Sequence, residues 1–180
     1  MPAKPPDLDT WLAYPAVRVA HRRESAASPE RLWRATQEIN LSETRLLGRL
    51  IRWRIPGLAR EVSFDELFRQ QPFTVLCEDD GVLVSGLVGR IWTLRRDYPE
   101  LVGPDEFQKW STPGTARVLF ANWVEPAEHG GAALRSETRV EGFGPQGRIG
   151  LASVRPLIRG FQQLVANDAM AVAVRRAEGG

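Results

Sequence analysis

An apolar stripe near the C-terminus constrains this chain more than any other feature. Val154, Ile158, Phe161, Val165, Ala169 and Val172 step by three and four residues, the spacing that lines side chains along one face of an α-helix. Arg159, Gln162, Gln163, Asn167 and Arg176 read as the opposite, solvated face. A helix patterned in this way needs a broad apolar surface to lie on. Two β-rich runs just before it can supply one. Ala116–Glu125 and Ala132–Glu141 flank the loop from Pro126 to Gly131 and read as a hairpin. Pro156 removes a backbone donor near the start of the stripe and is expected to kink or restart the helix.

The earlier chain adds strands and short helices. Val17 to Ser25 sets Val17, Val19 and His21 against Arg18, Ala20 and Arg22, the alternation of a half-buried first strand. Ser28-Pro29-Glu30 then opens a helix, with Ser28 as N-cap, Pro29 where no backbone N–H is needed, and Glu30 at the positive end of the dipole. A second helix is expected from about Glu43 to Trp53, burying Leu46, Leu47, Leu50 and Ile51, exposing Arg45, Arg49 and Arg52, and ending at Ile55-Pro56-Gly57. Ser63 and Glu66 stand in capping-box spacing ahead of a short helix that Pro72 stops. Phe73 to Glu78 and Val82 to Trp92 form a hairpin through Asp79-Asp80-Gly81, and Pro104 to Trp110 reads as a short helix.

The length of 180 residues suits one core. We divide it into a flexible N-terminal segment, 1–14, and a single domain, 15–178. The formal net charge is +2, with both signs interleaved, so no basic track for nucleic acid stands out. Cys77 is the single cysteine, which excludes an internal disulfide. His21 and His129 share no metal-ligand spacing with it, and no cofactor motif is present. No run approaches the roughly 20 apolar residues of a membrane span, and the expected setting is cytoplasmic, without stable membrane insertion. The six tryptophans read mainly as large core residues.

Three segments in this order carry a resemblance: Ala27-Ser28-Pro29-Glu30-Arg31-Leu32-Trp33, Gly86-Leu87-Val88-Gly89-Arg90-Ile91-Trp92, and Ser136-Glu137-Thr138-Arg139-Val140 before the last helix. Over about Val17 to Glu178 the chain resembles the START/polyketide cyclase-like superfamily, SRPBCC. The resemblance implies an α+β helix-grip fold, a curved antiparallel sheet wrapped around a long C-terminal helix with two short helices after the first strand. It also implies a mostly apolar cavity for a lipid, polyketide or other hydrophobic small molecule. No catalytic motif is shared across that superfamily, so no catalytic residue carries over. The Gly-rich run from Gly142 to Gly150 departs from its pattern and leaves the start of the last helix open.

Within this frame Trp92, Phe120 and Phe161 are the expected cavity walls, and Arg90, Asn122, Ser136 and Thr138 the expected polar contacts. Arg90 could grip a carboxylate with its guanidinium fork. Alternation along Arg135 to Glu141 leaves two arrangements. In the commoner one Leu134, Ser136, Thr138 and Val140 face the cavity and the charges face water. In the other, Glu137 and Arg139 point inward as a paired polar anchor. The leading functional expectation is non-catalytic binding by a monomer or homodimer. The alternative is a cyclase or dehydratase with Glu137 or Asp168 as general base, and a third reading is an interaction module for a protein partner.

Overall fold

The computed structural model describes residues 4–44, 47–54, 61–93, 95, 97–128 and 130–179, and for residues 50 and 52–54 the backbone alone. The expectations for Arg45, Leu46, Leu50, Arg52, Trp53, Ile55-Pro56-Gly57 and His129 therefore lie outside what is described. Five strands form one antiparallel sheet: β1 Val17–Ser25, β2 Thr74–Asp79, β3 Val82–Gly89, β4 Ala116–Pro126 and β5 Ala132–Gly142. Their spatial order is β1-β5-β4-β3-β2, so the last strand is inserted between the first and the fourth. The long C-terminal helical run crosses β1 and β5, and the whole is α+β in the helix-grip arrangement.

Local signals account for most element boundaries. Helix α2, Pro29–Gln37, starts where the Ser28 hydroxyl accepts from the Arg31 N–H at 3.3 Å. Helix α4, Phe64–Arg69, starts at a reciprocal cap, with Ser63 accepting from the Glu66 N–H at 3.1 Å and Glu66 accepting from the Ser63 N–H at 3.0 Å. The helix expected from Glu43 begins later, as α3, Leu47–Arg54. Glu43 instead closes a 3-10 turn, Leu41–Glu43, by accepting from the Asn40 N–H at 3.2 Å. Strand β3 stops at Gly89, short of the expected Trp92. The Asp97 carbonyl lies 2.3 Å from where a Cβ on Gly89 would sit, and Gly89 has φ of 138, so only glycine lets the returning chain pass there.

The sheet is covered on both faces. On the inner face Val118, Val124, Leu134 and Val140 join Leu83 and Leu87 in the larger core with α2, α3, α4 and the C-terminal helices. On the outer face Leu76, Val84, Val88 and Leu119 pack with Phe107 of α5, Pro104–Lys109, and with Leu8 and Leu12. Leu12 ends helix α1, Asp9–Leu12. The segment expected to be flexible over 1–14 thus carries a short helix, with Leu12 in it and Leu8 at its N-cap both buried. Tryptophans serve both cores: Trp123 is buried, while Trp11, Trp33 and Trp110 pack at their margins.

Of the two outcomes expected at Pro156, a restart of the helix does not occur. Helix α6 runs unbroken from Gly144 to Leu164, through Pro156, and is followed by a π turn, Val165–Ala169, and helix α7, Met170–Gly179. Pro156 and Ala152 are both exposed, so the carbonyl deprived of its helical donor faces water and the helix need not break. The regular α-helical pattern changes at the π turn, where Val165 and Ala169 are buried.

Candidate functional site

A cavity of about 710 Å³ lies between the inner face of the sheet and α6. Val118 and Phe120 of β4, Thr138 and Val140 of β5 and Leu87 of β3 form its floor. Val154, Ile158 and Phe161 of α6 form the facing wall, and Ile91, Trp92 and Tyr98 close one side. Leu157, also in the lining, is 71% exposed, so the cavity opens to the surface beside the middle of α6. Aromatic rings brace the other side: Phe68 stands 5.1 Å from Phe73 and 5.3 Å from Phe120, centroid to centroid.

Two contacts fix helices around the cavity. The Trp92 indole lies on α6 at Gly150, where an added Cβ would come within 2.3 Å of the ring. Ser85, on the inner face of β3, donates its hydroxyl to the Phe68 carbonyl at 2.8 Å and ties α4 to the sheet.

Among the described residues no Asp, Glu, Lys, Arg, His or Cys lines the cavity. Its polar side chains besides Trp92 are Thr93, Tyr98, Thr138 and Gln162. Thr93 has its hydroxyl within 3.1 Å of the Arg90 carbonyl and 3.0 Å of that of Arg95. Thr138 and Gln162 are each 2% exposed, and the Thr138 Oγ1 and Gln162 Oε1 have no hydrogen-bond partner among the described residues. Buried polar atoms are ordinarily paired, so two orphans at one apolar cavity are unusual.

Trp92, Phe120, Thr138 and Phe161 all stand in the lining, whereas Arg90, Asn122 and Ser136 do not. Arg90 is exposed at the end of β3, 3.9 Å from the Asp97 carboxylate. Asn122 and Ser136 face each other across the inner side of the sheet, one step further along than Phe120 and Thr138. Both are buried, and Asn122 borders a small recess with Trp33 and Phe64. His21 pairs with Ser136 in the same row, and burial lowers its pKa. Gln162 was assigned by its polarity to the solvated helix face. Its spacing says otherwise, because it lies four residues after Ile158 and three before Val165, on the apolar stripe itself.

Glu137 and Arg139 fit neither of the two expected arrangements. They are 4% and 6% exposed, yet they lie on the outer face, away from the cavity. The Glu137 carboxylate accepts from Arg18 at 2.8 and 3.1 Å and from Arg139 at 2.6 Å. Arg139 also donates to the Leu12 carbonyl at 2.8 Å and pairs with Asp9. Burial alone would lower the Arg139 pKa, but the hydrogen bonds to Asp9 and Glu137 outweigh it and the net shift is upward. Asp168 is half-buried in the π turn and outside the lining. Neither expected general base is therefore at the cavity.

Among the described residues no three or more His, Cys, Asp or Glu side chains are grouped to hold a metal ion. No helix among them is long and apolar enough to cross a membrane. No protein-family model matches the chain, and no curated protein matches it. Among solved structures, protein MLL2253 of Mesorhizobium loti is similar at 17% identity and a TM-score of 0.38, over 88% of this chain and 98% of that one. Hypothetical protein jhp0584 of Helicobacter pylori aligns at 9% identity and a TM-score of 0.42, over 99% and 98% of the two chains. Ara h 8.0201 aligns at 13% identity and a TM-score of 0.27, over 86% and 98%. Likeness this low says nothing further about this chain.

Proposed function

We propose that this is a ligand-binding protein of the helix-grip type. More particularly, we assign it to the START/polyketide cyclase-like superfamily and give it the task of holding a hydrophobic small molecule, a lipid, polyketide or similar, between sheet and C-terminal helix. The observation that carries this reading is the cavity of about 710 Å³ with an almost wholly apolar lining and an opening beside Leu157. Small-molecule sites are typically concave, apolar and about 300–1,000 Å³, with a few polar groups to fix orientation. Removing apolar ligand surface from water there favours binding by about 25 cal/mol per Å², before ordering costs. The reading includes no cofactor and no nucleic-acid partner, and takes the protein as a cytoplasmic monomer or homodimer.

The cyclase or dehydratase alternative gains no support from this cavity, because Glu137 and Asp168 stand away from it. Native mass spectrometry of the protein purified from its source tests the binding reading by the mass of any co-purified small molecule. The neutral dye Nile red provides a second measure, since its emission should shift blue on entering the cavity. Val118→Phe and Val140→Phe should fill the floor and abolish the shift while the protein stays folded. A shift that survives both substitutions would place the dye elsewhere and remove this function from the cavity.

A further inference from the structure

We propose that the exposed face of α6 docks reversibly on an anionic lipid surface, which brings the opening beside Leu157 against the bilayer. The docking rests on the binding reading above only for its purpose, the passage of an apolar molecule between bilayer and cavity. A surface helix ordinarily turns charged and polar side chains outward, because that face is solvated. The outer face of α6 is different. Ile149, Ala152, Pro156 and Gly160 follow one another by three or four residues, so they share one face, and all are exposed. Ser153, exposed beside them, turns its hydroxyl back to the Gly150 carbonyl at 2.6 Å. Ile149 and Leu157 are two of the four large hydrophobic residues that stand exposed among the described residues. A third, Tyr14, lies two residues before Ala16, whose carbonyl accepts from Arg155 of α6 at 2.8 Å.

Charge decides which partner fits this face. Arg148, Arg155 and Arg159 step by seven and four residues along one flank of the same helix, and all three are exposed. Between Glu141 and Asp168 the sequence holds no acidic residue. None of the three arginines forms an ion pair among the described residues. Exposed aliphatic side chains beside a row of uncompensated guanidinium groups complement a bilayer with acidic headgroups, where phosphates meet the arginines while Ile149 and Leu157 leave water. A second copy is a poorer partner, since it would bring two such rows together without a carboxylate between them. The depth of docking is limited as well. Pro156 leaves the Ala152 carbonyl without its helical donor, and that group must stay hydrated, so the face sinks no deeper than the headgroups. The opening beside Leu157 is then held where an apolar ligand leaves the bilayer.

Flotation of the full chain with lipid vesicles tests the docking. Vesicles of phosphatidylcholine mixed with phosphatidylserine should capture it at least about tenfold better than phosphatidylcholine alone, and added salt should release it. Arg148→Gln and Arg159→Gln should each weaken capture roughly fivefold, and Ile149→Ser about tenfold. Val102→Ser, which alters an exposed side chain ahead of α5, should leave capture unchanged. Arg148, Ile149 and Arg159 lie outside the cavity lining, so their variants should take up Nile red normally in vesicle-free solution. No capture by acidic vesicles overturns the docking, and Nile red uptake by the same preparation then leaves the binding reading standing. Capture without Nile red uptake upholds the docking and removes the binding reading. Equal capture by both kinds of vesicle, or capture that survives the arginine substitutions, overturns the role of charge and the proposal with it. Self-association that Ile149→Ser abolishes would make the face an interface between copies and also overturn the proposal. The comparison of vesicles on the unaltered chain decides the matter even where a variant misfolds.

Discussion

Glu137 and Arg139 hydrogen-bond to each other at 2.6 Å on the outer face of β5, while Thr138 between them faces the cavity. Period-two alternation separates the strand's ionic side from its ligand side. The pair is buried, and removing Arg139 leaves Glu137 with Arg18 as its remaining ionic partner. Arg139→Met should cost about 1–3 kcal/mol in urea unfolding, whereas Glu137→Leu with Arg139→Met should recover most of it. The partners Asp9 and Arg18 can recover their hydration, because their side chains are 70% and 60% exposed. A double variant no more stable than the single would contradict this account.

The N-terminal helix is part of the second core. Leu12 is almost wholly buried, and its carbonyl receives a hydrogen bond from Arg139. Leu12→Ala should lower stability by about 2–5 kcal/mol. Because Leu12 packs on the face opposite the cavity, Nile red affinity should be unchanged wherever the variant is folded. Unfolding of the variant and dye titration at low temperature measure the two effects separately.

Gly150 and Trp92 are fitted to each other. An alanine in a helix is ordinarily favoured over glycine by about 1 kcal/mol. Here the new methyl would meet the indole, and the cost of overpacking, about 1–3 kcal/mol, outweighs that gain. Gly150→Ala should therefore lower the melting temperature and shift tryptophan emission. In a Trp92→Ala background the same change should become neutral or stabilising. A loss of equal size in both backgrounds would show that the ring is not the obstacle.

Acid should destabilise the protein in two windows. Burial holds the neutral form of His21, so its folded pKa lies below 6.5 and the unfolded chain takes up the proton first. Its contribution is complete above 6.5 and is lost as pH falls through the lowered value. His21→Leu should flatten the melting-temperature profile in that range.

The second window lies below 4.5. The Arg69 hydrogen bond lowers the Glu78 pKa; for Glu43 burial acts upward, but the Asn40 N–H and Arg176 together outweigh it. Both contributions are present above 4.5 and are lost as pH falls through the lowered values. Arg69→Gln and Arg176→Gln should each flatten the profile there and leave the higher window alone. Thermal scans in a series of buffers check both windows.

Much of the fold was legible because its signals are local. The alternation of β1, the caps at Ser28 and Ser63, the two hairpins and the inward set Val118, Phe120, Ser136 and Thr138 depend on neighbours within a few residues. Gln162 was legible by spacing and was obscured by its polarity. The fate of Arg90 was not legible, because Gly89 lets the chain turn back and brings Asp97 beside it.

What the sequence by itself determined is most of the longer elements and the face on which each strand residue lies, because both follow from periods of two and 3.6 residues. It also determined that the final helix would bury one stripe. Only the tertiary structure decided which surface covers each face. It set α1 over Glu137 and Arg139, where a charge from Asp9 crosses 130 positions of sequence to reach its partner. It also left the Thr138 and Gln162 oxygens buried without a partner among the described residues. Pairing at such distances is settled by the packing of the whole chain, since no local period records which distant group will arrive.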